Sequence, residues 1–182
     1  GQGGVTEGGV TEGEVPEGAT SVEVPMLHGV AVTTSTGQTV LHPSRDELVE
    51  LVARLRAEGY WQCIDVCAVD YLTHPARPEL PATIAPGRFE VVVQLLNHVE
   101  HSRLRLRVQV PESDPTCPSL SAVHPGAEAP EREAYDLFGI IFDGHPDMTR
   151  ILMPDEWVGH PLRKDESIGQ IPVQFKAATN VR

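Results

Sequence analysis

Residues 89–110 read FEVVVQLLNHVEHSRLRLRVQV, and this stretch decides the fold class. Every second residue is apolar in two segments, which hold Phe89, Val91, Val93 and Leu95 in the first and Leu104, Leu106, Val108 and Val110 in the second. Such alternation is typical of strands with one buried and one polar face. The largely polar residues 97–102 between them predict a turn, and the two segments together therefore predict an antiparallel hairpin.

Three arginines occupy polar positions of the second predicted strand: Arg103, Arg105 and Arg107. Antiparallel sheets often leave one face in water. We therefore expect a solvated face, with a partner-facing edge as the alternative.

A helix and a further strand are expected before the hairpin. Ser44 and Glu47 have the spacing of a capping box, apolar residues follow at helical spacing, and Gly59 supplies a stop, so the helix spans about residues 44–58. Residues 60–70 are rich in aromatic and β-branched types, which predicts a strand. The proline-rich stretch 71–87 predicts a long loop.

A second helix is expected after the hairpin. Pro130 is a good first helical residue and Gly139 a good stop, so a short helix should run through Phe138, with a short strand at 140–142. Strands and helices do not alternate as they do in parallel sheets. The fold class predicted is α+β, an antiparallel or mixed sheet with flanking helices and a long extended C-terminal arm.

The chain divides into three regions by composition. Residues 1–41 are acidic and rich in glycine, with Gly4–Gly8 followed directly by its repeat Gly9–Gly13, and are expected to be a partly extended or disordered arm. Residues 42–142 form the α+β domain. Residues 143–182 contain many turn formers and no periodic apolar face, which predicts an extended docking arm that folds against a neighbour and not onto its own domain.

Charge and cysteine content exclude some classes of function. The net charge of -12 argues against nucleic-acid binding. Three cysteines without framework spacing suit a reducing compartment, and no apolar run is long enough to span a bilayer, so any membrane association is expected to be through partners.

Two candidate metal sites are weighed against structural roles. A metal hydrolase would need the carboxylates and imidazoles of one group of residues, namely Asp143, His145, Asp147, Asp155 and His160. Both histidines precede proline in irregular chain, and we favour the structural role. Cys63 and Cys67 should share one strand face about 13 Å apart at about 3.3 Å per residue, too far to bind one ion. No flavin, nicotinamide or nucleotide motif is present in the sequence.

The C-terminal half carries a more specific signature. It reads EREAYDLFGI at 131–140, GHPD at 144–147, RILMPDEW at 150–157 and GHPLRKD at 159–165. These segments closely resemble the 30-kDa-type subunit, also called the C subunit, of bacterial respiratory complex I, the NADH:quinone oxidoreductase. A weaker match extends the resemblance to about residues 44–175.

The resemblance implies a scaffold subunit without catalytic residues of its own, located in the peripheral arm of a proton-pumping complex. That complex passes electrons from NADH to a quinone, either menaquinone or ubiquinone. It implies no cofactor in this subunit, because NADH, FMN, iron-sulfur clusters and quinone are bound by other subunits. The partners implied are the quinone-site D subunit and the iron-sulfur subunits B and I, on the cytoplasmic side of the bacterial plasma membrane.

The resemblance also implies which residues dock against those partners. They are Glu131, Arg132, Glu133, Asp136, His145, Arg150, Trp157, His160, Arg163 and Asp165. Alternatives are the homologous subunit of a membrane-bound hydrogenase, a metal-dependent hydrolase that acts alone, and an adaptor unrelated to respiration.

Overall fold

Six strands form the main sheet of the computed structural model, which describes residues 24–77 and 79–166. They are β1 (Met26–Leu27), β2 (Val30–Ser35), β3 (Gln38–His42), β4 (Gln62–Asp70), β5 (Phe89–Asn97) and β6 (Ser102–Val110). The order across the sheet is β1-β2-β3-β6-β5-β4. Only the β3–β6 pair is parallel among these neighbours, so the sheet is mixed.

The predicted hairpin is confirmed by the pairing of β5 with β6. Phe89 lies opposite Val110 and Leu95 opposite Leu104, so all eight alternating apolar residues point to one face. That face is buried throughout. It packs in a single core cluster with apolar residues of helix α1 (Arg45–Ala57), namely Leu48, Leu51, Val52 and Leu55. The predicted α+β class is therefore correct.

Both predicted helices are present. Ser44 and Glu47 make the capping box at the start of α1. Helix α2 (Glu128–Phe138) begins two residues earlier than expected, after a short 3-10 turn at Pro125–Ala127, because Pro130 is tolerated anywhere in the first turn. The two remaining strands, β7 (Thr116–Pro118) and β8 (Ile141–Asp143), form a separate parallel pair beside α2.

The predicted boundary at residue 42 is wrong for residues 24–41. This segment forms β1, β2 and β3, and β3 enters the sheet beside β6. Val40 and Leu41 are fully buried there. The composition of the first residues led to the error, because the alternation that makes a strand is short and mixed with threonines. The glycine-rich repeat itself lies outside the described residues.

The prediction that Cys63 and Cys67 share a face is also wrong. A β-bulge between Cys63 and Asp65 shifts the register of β4, so Cys63 lies opposite Leu95 and Cys67 opposite Val92. These partners are on different faces of β5. One extra residue in a strand reverses the face of everything beyond it.

The outer face of β5 and β6 is covered in part by the predicted loop 71–87. Arg103 is exposed, but Arg107 is buried and donates from Nε to Glu90 across 2.7 Å. Arg77, from the loop, stacks over the Tyr71 ring at 3.6 Å and lies 3.6 Å from Glu90. The expected solvated face is therefore wrong at Arg107, because the loop supplies a cover that the strand pattern cannot reveal.

Candidate docking site

The Asp136 carboxylate is the centre of the signature region. It is fully buried on α2, and Oδ2 accepts the backbone N–H groups of Ile151, Leu152 and Met153 at 2.8–3.1 Å. Arg150 donates to Oδ1 at 2.5 Å. Burial alone would raise the pKa of Asp136, but these hydrogen bonds outweigh burial and lower it to about 2. The carboxylate is therefore ionised and fixes four successive residues of the arm.

Two further arm residues bind the C-terminal end of α2. His160 Nδ1 donates to the Asp136 carbonyl at 3.0 Å, and Arg163 Nε donates to the Phe138 carbonyl at 2.6 Å. These carbonyls have no partner within the helix, so the arm caps them. A Cβ at Gly139 would lie 2.6 Å from both His160 and Arg163, and its φ of 73° favours glycine.

The far end of the described arm joins the sheet. Lys164 donates its backbone N–H to Asp70 Oδ2 at 2.9 Å, and Asp165 accepts from Arg88 at 2.6 and 3.0 Å. Arg88 also donates to both oxygens of Asp70. Burial would raise the pKa of Asp70, but the hydrogen bonds from Arg88, Lys164 and Leu72 lower it to about 2. Sequence reasoning missed Asp70 and Arg88, whose pairing depends on the positions of two strand ends.

Glu131 and Arg132 face different structures. Glu131 is completely buried and accepts from Ser119 Oγ and the Leu120 N–H, both at 2.6 Å. Burial is the main cause that raises its pKa above the usual range. Arg132 points to the arm and donates to the Thr149 carbonyl at 3.0 Å and the Arg150 carbonyl at 2.8 Å. Each side chain therefore joins α2 to another segment of the same chain.

The remaining predicted residues are less connected. His145 is half-buried and its Nε2 lies 2.9 Å from the Glu128 carbonyl. Trp157 is half-buried, and its backbone N–H closes a turn on Pro154. Glu133 is exposed on α2, away from Glu131. Of the ten predicted docking residues, four come together around the end of α2: Asp136, Arg150, His160 and Arg163. Arg132 contacts the start of the same arm segment. Glu131, Glu133 and Asp165 lie apart from this group.

The expectation that the arm does not fold onto its own domain is wrong for residues 144–166. Polar anchors hold this segment against α2 and the sheet, and they do not depend on the apolar periodicity that the sequence lacks. Within residues 144–166, four large apolar side chains stay exposed: Ile151, Leu152, Val158 and Leu162. Leu152 is 60% exposed and Val158 is 92% exposed. We call these four residues the apolar face of the arm.

The candidate metal ligands do not converge. Asp143, Asp147 and Asp155 are exposed at separate points of the arm, and His160 is bonded to α2. Within residues 24–77 and 79–166, no three His, Cys, Asp or Glu side chains gather into a group that could hold a metal ion. In the same part of the chain, no helix has both the length and the apolar character needed to cross a membrane.

Comparison with known proteins gives a consistent family. Residues 41–171 match the family model described as "Respiratory-chain NADH dehydrogenase, 30 Kd subunit". The chain is 42% identical over 158 residues to the C subunit of the NADH-quinone oxidoreductase of Saccharopolyspora erythraea, a match that covers 85% of this chain and 59% of that one. It is 46% identical over 144 residues to the corresponding C subunit of Mycobacterium tuberculosis H37Rv, covering 78% and 57%. The chain thus spans less than two thirds of the length of these relatives.

Two solved structures share the fold. A trypsin-resistant fragment of Nqo5 is 35% identical with a TM-score of 0.58, covering 65% of this chain and 89% of that one. A chain of an archaeal membrane-bound sulfane sulfur reductase is 17% identical with a TM-score of 0.58, covering 84% and 90%, and shows the fold alone. Because the family model is matched across most of the sequence and the relatives are 42% and 46% identical, the chain belongs to the 30-kDa subunit family of respiratory-chain NADH dehydrogenases.

Proposed function

We propose that this chain is a non-catalytic scaffold subunit in the peripheral arm of a proton-pumping NADH:quinone oxidoreductase. The proposal rests on the hydrogen bonds of the signature side chains, which are made within the chain. Asp136, Arg150 and Arg163 direct their polar groups into the chain itself. Groups held in this way set the shape of the arm and are poorly placed to bind a substrate.

The apolar face of the arm is the proposed contact with neighbours. Asp136 holds the backbone N–H groups of residues 151–153, and Ile151 and Leu152 are exposed beside it. Exposed apolar side chains on a rigid backbone bind a partner at low ordering cost. The partners proposed are the quinone-site D subunit and the iron-sulfur subunits B and I, with NADH, FMN, clusters and quinone bound outside this chain.

The proposed location follows from those partners. The chain would sit at the cytoplasmic side of the bacterial plasma membrane, attached only through the complex, which would pass electrons from NADH to menaquinone or ubiquinone. The homologous subunit of a membrane-bound hydrogenase is the competing proposal, because such a complex would use the same docking surface with a different electron donor.

A charge placed on the apolar face tests the proposal. The variant Leu152→Glu/Val158→Glu should fold with unchanged melting, since both side chains are exposed, yet fail to enter the membrane complex and abolish quinone-linked NADH oxidation by membrane vesicles. The control is Met26→Glu on β1, where Met26 is 62% exposed and so closely matches Leu152. Normal assembly of the double variant would contradict docking through this face. If the double variant fails to assemble and loses hydrogen-linked electron transfer while NADH oxidation is unchanged, the result would favour the competing proposal of a membrane-bound hydrogenase subunit.

A further inference from the structure

A second exposed apolar surface lies at the other end of β4 from the arm. The arm reaches Asp70, the last residue of β4, whereas Trp61 immediately precedes its first residue, so Trp61 and Asp70 are about 30 Å apart at about 3.3 Å per residue. Trp61 is 60% exposed, and Val99, at the tip of the β5–β6 hairpin, is 65% exposed. We call Trp61, Val99 and the cavity between α1 and the hairpin the Trp61 surface.

The Trp61 surface is held rigidly. The Asn97 side chain donates to the Glu58 carbonyl at the end of α1 and accepts the N–H groups of Val99 and Glu100. His98 is hydrogen-bonded to Gln62 at 2.6 Å. The hairpin approaches α1 so closely that a Cβ at Gly59 would lie 2.7 Å from Asn97 Nδ2. Anchors fixed in this way lose little conformational freedom when a partner binds.

A cavity of about 450 Å³ opens beside Trp61. Its walls include Arg56, Gln62, His98, His124 and Gly126. His124 is 3% exposed, and its Nε2 has no hydrogen-bond partner in the part of the chain that the structure describes. Burial, together with the nearby Arg56, holds the pKa of His124 below its usual range, so the ring is neutral and offers a hydrogen bond without a charge.

The cavity carries a positive charge in a chain that is acidic as a whole. Arg56 is the one charged side chain among the cavity's lining residues in the described part of the chain. Among the described residues, Arg56 has no carboxylate within ion-pair distance. The one carboxylate of the hairpin tip is Glu100. In a chain of net charge -12, an unpaired arginine beside an exposed indole offers a positive charge next to an aromatic ring.

We propose that the Trp61 surface binds an acidic segment of a partner protein, one that carries an apolar or aromatic side chain for the cavity. Arginine and tryptophan are among the residues that contribute most to binding at protein interfaces, and an unpaired arginine such as Arg56 favours a carboxylate with bidentate geometry. The inference does not rest on docking through the arm, because the two surfaces share no residue.

Photo-cross-linking in the assembled complex tests this surface. Benzoylphenylalanine is placed at Val99 of the full chain, membranes are irradiated, and the cross-linked peptide is identified by mass spectrometry. We expect one partner protein, joined through a segment with more Asp and Glu than Lys and Arg. The yield should fall by at least about tenfold in Arg56→Glu, because like charges brought together at an interface cost several kcal/mol.

A matched control variant separates this surface from general electrostatics. Arg54→Glu makes the same charge change on the same helix, where Arg54 is already paired with Glu50, and should leave the yield unchanged. Trp61→Ala should lower it without changing the melting temperature. The proposal is overturned by a cross-link to a second copy of this chain, to lipid alone or to a basic or uncharged segment, by no cross-link at all, or by a yield that Arg56→Glu leaves intact.

Discussion

Arg150 Nη1 donates to Asp136 Oδ1 across 2.5 Å, and the other oxygen of the same carboxylate accepts three consecutive backbone N–H groups of the arm. One helical side chain thereby fixes the backbone of residues 150–153. Because that backbone is fixed, the exposure of Ile151 and Leu152 is a built feature of the fold. The buried charge of Asp136 therefore sets the backbone geometry of this part of the arm.

Asp136→Asn should release the arm locally. The amide cannot accept as many strong hydrogen bonds, and charge-assisted bonds contribute about 1.5–3 kcal/mol each. Hydrogen exchange at the N–H groups of residues 151–153 should accelerate at least about tenfold, since about 1.4 kcal/mol is a factor of ten. Glu133→Gln, an exposed position on the same helix, is the control. Unchanged protection in Asp136→Asn would mean that the arm is held by other contacts.

Acid should weaken the domain through Asp70 and Asp136. The pKa of each is lowered from 3.8 to about 2. A carboxyl with a lower pKa in the folded state stabilises it above the unfolded pKa, and this contribution is lost as pH falls from about 4 to about 2. At about 1.4 kcal/mol per pKa unit, each side chain contributes about 2.5 kcal/mol. Urea unfolding at several pH values measures the loss, and Asp70→Asn/Asp136→Asn should show a much flatter acid limb.

Glu131 should behave in the opposite way. Burial is the main cause of its raised pKa, so the ionised form is unfavourable in the folded protein and protonation stabilises the fold. Glu131→Gln keeps one oxygen to accept the Leu120 N–H, and its amide NH2 can donate to Ser119 Oγ in place of the second oxygen. Because the buried charge is removed, its stability should equal or exceed that of the parent at neutral pH. Glu131→Ala leaves those donors unpaired and should lose about 1–3 kcal/mol. Equal losses in both variants would show that the negative charge itself is required.

The periodicity of the sequence predicted the helices and strands better than it predicted the residues that pack against them. The β5–β6 hairpin, α1 with its capping box and the stop at Gly139 follow from local patterns, and the structure has all of them. The bulge near Ile64 changes the register without a sequence signal, and burial of Arg107 depends on a loop that is distant in sequence. The contacts of Asp70 with Arg88 and Lys164 join three distant segments. Such relationships exist only after the chain has folded.

Arg107 and Arg103 lie on one strand and should differ sharply when replaced. Arg107 is paired with Glu90, whose side chain is 1% exposed, whereas Arg103 is exposed. Arg107→Ala leaves a buried carboxylate with fewer donors and should cost about 3 kcal/mol. Arg103→Ala should change the free energy of unfolding by less than about 0.5 kcal/mol. Chemical denaturation measures both, and similar values for the two variants would mean that the outer face is uniformly solvated.

Truncation after Pro154 separates the arm's contribution to folding from its contribution to assembly. The deletion removes the bonds of His160 and Arg163 to α2 and of Lys164 and Asp165 to the sheet end. Each hydrogen bond contributes about 1 kcal/mol, but the ordering of the arm's backbone costs a comparable amount. The truncated chain should therefore unfold cooperatively with a free energy lowered by about 1–3 kcal/mol.

The same truncation should abolish incorporation into the membrane complex, because it removes Val158 and Leu162 from the apolar face. The full-length variant Arg163→Ala/Asp165→Ala is the control, since it loses two anchors and keeps every residue of that face. It should show a similar loss of stability with partial assembly, measured by native gels and by NADH oxidation in membrane vesicles. If the truncated chain does not fold, the arm belongs to the core of the domain. If the truncated chain assembles normally, docking relies on another surface, because the loss of Val158 and Leu162 would then have had no effect on the complex.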